Sequence, residues 1–371
     1  MFVGAALTIA ACAAAAYVIT REDEPRVAAA STATTKATEP TTTTIPVPTT
    51  PARDPVRGSG QPVTLAFGGD VHFDGALRAK LLADPNTVLA PIAPTLSAAD
   101  VAVVNLETAI TEGGTIQTKE FNFRAPASAL DALKAAGIDA ASMANNHGMD
   151  FGVDGLADTL AAKQAKQFGV IGIGNNAAEA YAPYKVEVKG QRISVIAATD
   201  VLDSQYYESW TSTETKPGLA SAKEEFGGQG RLIAAVQQAR ADSDTVAVIL
   251  HWGVSKQDCP SPRQKALARI LVDAGADIVV GGHAHHVQGA GRLGAAVVAY
   301  GLGNFVFYNE SGEYGRSGVL KVTATGHSID SSEWIPARIH GGVATPTAPG
   351  PETDEAIAHM NNARACTDLT P

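Results

Sequence analysis

The chain has 371 residues, 45% of them hydrophobic and 18% charged, enough material to bury the core of one large globular domain or two small ones. Its formal net charge is −10 and its pI is near 5.4. No Lys/Arg run is dense enough to track phosphates, which excludes a nucleic-acid partner as the working expectation.

The first element is a candidate anchor. Residues Phe2 to Thr20 are apolar or small and uncharged, and "REDE" ends the run abruptly. That is about the length a helix needs to cross a hydrocarbon core. Residues 1–20 therefore read as a membrane or signal anchor with an extracytoplasmic domain behind it. The alternatives are cleavage and secretion, or a lipoprotein attached through Cys12 of "IAAC". Residues 21–61, rich in Thr and Pro with almost no bulky apolar side chain, cannot offset the entropy of ordering and are expected as a disordered linker.

From Pro62 onward, short apolar runs alternate with amphipathic stretches. The runs are 63–67, 101–104, 138–144, 170–174, 193–198, 245–250, 277–280 and 295–300. Continuous apolar character, rather than strict alternation, predicts strands covered on both faces. Helices are expected over 128–137, 153–169, 230–242 and 261–275, several closed by Gly. Residues 184–198 predict a hairpin turned at Lys189-Gly190, and "GVLKVTA" and "SSEWIPARI" predict antiparallel strands. The expected class is α/β: mixed sheets flanked by helices, in a domain spanning 62–340 with a C-terminal tail over 341–371.

The residues just past each run carry the chemistry. After "VTLAF" come Asp70 and His72; after "VAVV", Asn105 and Glu107; after the 138–144 run, Asn146 and His147. His251 follows "TVAVIL", and His283 and His285 follow "DIVV". Ligands of open α/β sheets bind beyond the carboxyl ends of strands, so strands of one direction would bring these sets to a single edge. An isolated histidine after a strand is usually a core or loop residue, but coincidences at matching topological positions favour a metal. Asp70, His72, Glu107, Asn146, His251, His283 and His285 make seven donors without sulfur, a set that suits two divalent ions such as Mn, Zn or Fe. Paired ions can clamp a phosphate or carboxylate and lower the pKa of a water. His147, beside a ligand, is expected as the proton donor to a leaving group.

Four further residues have weaker claims. Trp252 is either a pocket wall or core, and Asn304 either bonds a ligand histidine or makes a turn. Arg124 either meets an anionic substrate or forms a surface ion pair, while Asn105 stands beside the acidic donor. His286, adjacent to His285, should point away. Cys259 and Cys366 form either a disulfide or two free thiols.

The motifs "FGGDVHFDG", "VVNLET", "ANNHGMDFG", "HWG", "DAGADIVVGGHAHHVQG" and "YGLGNFVF", in this order across residues 62 to 310, resemble the bacterial capsule-synthesis CapA family of poly-γ-glutamate capsule proteins. That family is related to the calcineurin-like metallophosphoesterases. The resemblance implies a four-layer sandwich and a role in making, attaching or exporting an anionic polymer. It implies an anionic polymer or phosphoester substrate and membrane proteins of capsule synthesis as partners. Carried over, Asp70, His72 and His285 would bind one ion and Asn146, His251 and His283 the other, with His147 as acid. "NLET" stands where the phosphoesterases place a bridging Asp, so Glu107 either bridges with its longer arm or pairs locally. Either a hydrolase or transferase, or a non-catalytic polymer-binding component, is compatible with these residues.

Overall fold

A computed structural model describes Asp54 and residues 56–371. The expected anchor, Cys12 and the linker up to residue 53 lie outside the described residues. Among the described residues, no helix is long and apolar enough to cross a membrane.

Two sheets form the centre. The larger runs in the order Asn304–Val306, Val343–Pro346, Ser328–His340, Arg316–Thr325, Val63–Val71, Val101–Leu106, Ala140–Ser142, Gly169–Ile171. The smaller runs Ala290–Leu293, Ala296–Ala299, Ile278–Gly282, Thr245–His251, Gln191–Thr199, Tyr184–Val188. Each combines a parallel half with antiparallel strands, so both are mixed.

The two-residue period of a strand builds the layers. Leu65, Phe67 and Val103 of the larger sheet share a core with Ile193, Val195, Ala247 and Ile278 of the smaller one. Ala66 and Val104, on the opposite face, pack against Leu77, Leu96, Leu133 and Leu156 of four helices. Ile196, Val246 and Val248 turn outward to Leu232 and Val236 of helix Gly228–Asp242 and to Leu267 and Leu271 of helix Pro262–Ala274. The order is helix, sheet, sheet, helix. Every central strand is apolar on both faces because both faces are covered, as the unbroken runs predicted.

Local chemistry explains several boundaries. Helix Pro262–Ala274 opens on a capping box between Ser261 and Gln264 and closes at Gly275 with φ 115°. The expected hairpin pairs Tyr184–Val188 with Gln191–Thr199 around Lys189 and Gly190, both with positive φ. The 170–174 run is divided instead: Gly172, at φ 86°, separates strand Gly169–Ile171 from Ile173–Gly174, which pairs elsewhere with Gly218–Leu219.

Residues 341–371 are part of the fold rather than a tail. Strand Val343–Pro346 pairs with Ser328–His340, and helix Pro351–Arg364 buries Met360 in the core between the sheets. Thr370 bridges Arg292, and Cys366 forms a disulfide with Cys259. One apolar face on an otherwise polar helix left this packing almost without signal in the sequence. The last linker residues also dock, since Gln191 Nε2 donates to the carbonyls of Arg57 and Gln61.

Candidate metal centre

Register aligns the strand ends. Asp70 stands level with both Asn105 and Asn304 across the larger sheet, and His251 stands level with Gly282 in the smaller. The parallel halves therefore deliver their polar ends to one edge, where Asp70, Glu107 and His251 are fully buried.

Asn146 Oδ1 lies 2.7 Å from His251 Nε2, and His283 Nδ1 lies 3.1 Å from the same nitrogen. His285 Nδ1 is 3.3 Å from Asp70 Oδ2. Glu107 joins these groups. Its ligand atoms and those of His283 and His285 lie within 4.8 Å of one another, and the same holds for Asp70, Glu107 and His251. Glu107 thus occupies the middle position, as a bridging carboxylate would, rather than pairing locally.

The electrostatics ask for a cation. Both Glu107 oxygens are buried without a hydrogen-bond partner. Burial and the neighbouring Asp70 carboxylate hold the Glu107 carboxyl well above the usual carboxylate range. Burial pushes the His283 imidazole down to about 3 and holds His251 well below its ordinary value, keeping both rings neutral and able to donate a lone pair. Burial opposes charge on His285 too, but Glu107 and Asp70 outweigh it and raise that ring to about 9. A buried carboxylate lacking donors, facing neutral imidazoles, fits a divalent metal site.

The loop that carries the histidines is shaped for close approach. His283 and His285 both have positive φ, 84° and 57°, which is uncommon for residues with a Cβ. His283 N–H donates to Asp70 Oδ2 at 3.0 Å. A Cβ on Gly282 would lie 2.3 Å from Asp70 Oδ1, and one on Gly281 would lie 2.0 Å from Trp252 Nε1. The two glycines let the loop reach the carboxylate. His286 turns away to Asp258 at 2.7 Å.

The weaker candidates divide. Asn105 donates to Asp70 Oδ1 at 2.8 Å and meets His251 Nδ1 at 3.0 Å, so it orients two members of the centre. Asn304 Oδ1 meets His285 Nδ1 at 2.9 Å. Trp252 is core: it is fully buried, donates to the Tyr300 carbonyl and stacks on that ring. Arg124 lies over the Phe151 ring, 5.0 Å from its centroid. His72 stands outside both donor groups. Its ring stacks on Phe123, its Nδ1 accepts the Asp74 N–H, and its Nε2 is buried with no protein partner. Ligation through Nε2 would require the proton on Nδ1 and another acceptor for Asp74.

His147 sits at the side, its Nδ1 2.6 Å from Asp150 Oδ2 and its Nε2 3.9 Å from Glu107 Oε1. Burial lowers its pKa, against the Asp150 hydrogen bond that raises it. A cavity of about 330 Å³ opens over His147, Asn146, His283 and His285, walled by Phe123, Phe307 and Tyr308. Sequence reasoning missed Asp150, Lys119 and Asn145. Asn145 donates to Asn105 Oδ1 and to the Leu106 carbonyl, tying two strand ends together. Asp150 was within reach, three residues after His147; Lys119 follows no strand and carries no motif.

A family profile described as "Bacterial capsule synthesis protein PGA_cap" matches residues 64–309, more than half of the chain. The chain belongs to this capsule-synthesis family. Relatives within it include the capsule biosynthesis protein CapA of Bacillus anthracis, 33% identical over 193 residues, covering 51% of this chain and 45% of that one. The PGA biosynthesis protein CapA of Bacillus subtilis (strain 168) is 31% identical over 219 residues, covering 58% and 55%. The chain thus spans about half the length of these relatives. Among solved structures, a hypothetical protein from Thermus thermophilus aligns with TM-score 0.45 and 15% identity, over 75% of this chain and 100% of that one. The matched span contains the whole centre, from Asp70 to Asn304.

Proposed function

We propose that this chain is a membrane-tethered, extracytoplasmic protein that serves a poly-γ-glutamate-type surface polymer by metal-dependent hydrolysis or transfer. Asp70, Glu107, Asn146, His251, His283 and His285 would hold two divalent ions (Mn, Zn or Fe). The observation that carries this is Glu107: buried, without a donor, and shared by both donor groups. When bound, such ions supply Lewis acidity at a phosphoryl or acyl oxygen. His147, held by Asp150 through Nδ1–H with Nε2 toward the centre, would deliver the Nε2 proton of its imidazolium form to the leaving group and be left as the neutral ring. Phe123, Phe307 and Tyr308 line one side of the cavity with aromatic rings. The Cys259–Cys366 disulfide supports an oxidising compartment, as does the uncharged run Phe2–Thr20 for tethering. Its partners would be the anionic polymer and membrane proteins of capsule synthesis.

The test pairs metal analysis with turnover of an aryl phosphate and a γ-glutamyl peptide, by wild type, His147→Ala and His283→Ala. Two ions, with turnover lowered about 100- to 10,000-fold in His147→Ala and abolished in His283→Ala, is the expected result. Metal without turnover on either substrate would make the chain a polymer-binding component instead. A protein that binds no metal after growth in metal-replete medium would overturn both.

A further inference from the structure

Lys119 has no place in the chemistry above, yet its ammonium is buried beside the proton donor. Its side chain is only 6% exposed, and it pairs with an Asp150 side chain at 0%. Nζ donates to Asp150 Oδ1 at 2.8 Å and to the Asn146 carbonyl, and stands 3.4 Å from His147 Nδ1. Asp150 Oδ2 accepts both the Phe123 N–H, at 2.7 Å, and the His147 ring at 2.6 Å. With donors on both oxygens, the carboxylate is left only one way to meet the imidazole, by accepting from Nδ1–H. Nε2 is then the nitrogen offered to the centre.

The segment that brings Lys119 here is strapped down. Thr115 N–H donates to the Phe151 carbonyl and Gln117 N–H to the Asp150 carbonyl. From the other side, Gln205 Nε2 and Tyr206 OH both donate to the Thr118 carbonyl. The Trp210 ring, stacked on Tyr206, lies 5.5 Å from Nζ and closes the far side. A buried ammonium persists when it is fully engaged, and here each contact leads to His147 or its neighbours.

We infer that Lys119 is a positioning residue for His147: through Asp150 and the Asn146 carbonyl it fixes the ring with Nδ1–H on Asp150, so that Nε2, which carries the transferable proton in the imidazolium form, faces the metal centre. The inference rests on the catalytic reading above, and its test separates the two. Lys119→Met keeps the stem and removes the charge; Lys119→Arg restores a cation. In metal-loaded protein, Lys119→Met should lower kcat on an aryl phosphate by about 100-fold, the scale of a mispositioned proton donor. KM and metal content should hold, and Lys119→Arg should recover most of the loss. In a His147→Ala background, Lys119→Met should add almost nothing. An additive loss in the double variant, or loss of metal from Lys119→Met, overturns the inference.

If wild type turns over neither substrate, the catalytic reading fails and histidine NMR still decides Lys119. At one fixed pH, ¹⁵N spectra should show Nδ1–H at His147, assigned by its absence in His147→Ala, in wild type and Lys119→Arg. Retention of that pattern in a folded Lys119→Met protein would show that Asp150 positions the ring without the lysine.

Discussion

Glu107 Oε1 lies 3.4 Å from His251 Nε2, with both side chains fully buried and no hydrogen bond reaching either carboxylate oxygen. The pair joins the ends of the two sheets' parallel halves, so the sandwich closes on a carboxyl group with no hydrogen-bond donor. Glu107→Gln keeps the shape and removes the charge. It should lower bound metal by at least one ion per chain, read by elemental analysis. The same variant should unfold at a higher temperature than wild type when both are stripped with chelator, because a buried, donor-less carboxylate destabilises the metal-free fold. Full metal occupancy in the variant would remove Glu107 from the centre.

Gly282 makes a second, purely steric test. A methyl at this position would lie 2.3 Å from Asp70 Oδ1, which must then move. Gly282→Ala should retain the fold by circular dichroism and lose most bound metal. Gly230, in helix Gly228–Asp242 with open space around it, is the control. Gly230→Ala should keep full metal and gain about 0.5–1 kcal/mol of stability.

Acid should weaken the metal-free protein through its buried rings. Burial lowers His72 to about 3 in the folded state, against 6.5 in the unfolded chain. Above pH 6.5 the ring is neutral in both states. As pH falls from 6.5 toward 3 the unfolded state takes up the proton first, so folding stability drops, by about 1.4 kcal/mol per pH unit at the limiting slope. His72→Phe, which preserves the stack on Phe123, should flatten this acid limb in chelator-treated protein followed by urea unfolding at pH 7 and pH 5. Parallel limbs in the two proteins would mean that His72 titrates normally.

The Cys259–Cys366 disulfide closes a sequence separation of 107 residues and ties helix Pro351–Arg364 to the loop after strand Thr245–His251. Cys366→Ser should cost about 2–5 kcal/mol in urea unfolding. Metal content should be unchanged, since the hydrogen bonds to these cysteines come from Lys265 and Gln288 rather than from the centre. Equal stability of oxidised and reduced wild type would contradict this.

The unbroken apolar runs made the covered strands legible, because a strand apolar on both faces has few alternatives. The clustering of the candidate donors was legible for a related reason: the end of a strand is where a parallel sheet offers polar groups without burying them in its core. Asp70, Glu107, Asn146, His251, His283 and His285 each stand just past such a run, and Asn105 and Asn304 lie beside them. Helix Pro351–Arg364 was missed because its single core contact, Met360, leaves no periodic pattern.

What the sequence by itself determined is the set of metal-competent side chains and the strand ends that present them, since both depend on residues close together in the chain. Only the tertiary structure decided the partnerships. Glu107 became central through packing of one sheet on the other, His72 stacks on the Phe123 ring with its Nε2 left without a protein partner, and Trp252 and Arg124 were directed to the core and to Phe151. Lys119 and Asp150 meet across 31 positions with no shared period or motif. Their contact exists because burying one charge demands the other, and that demand arises only once the chain has folded.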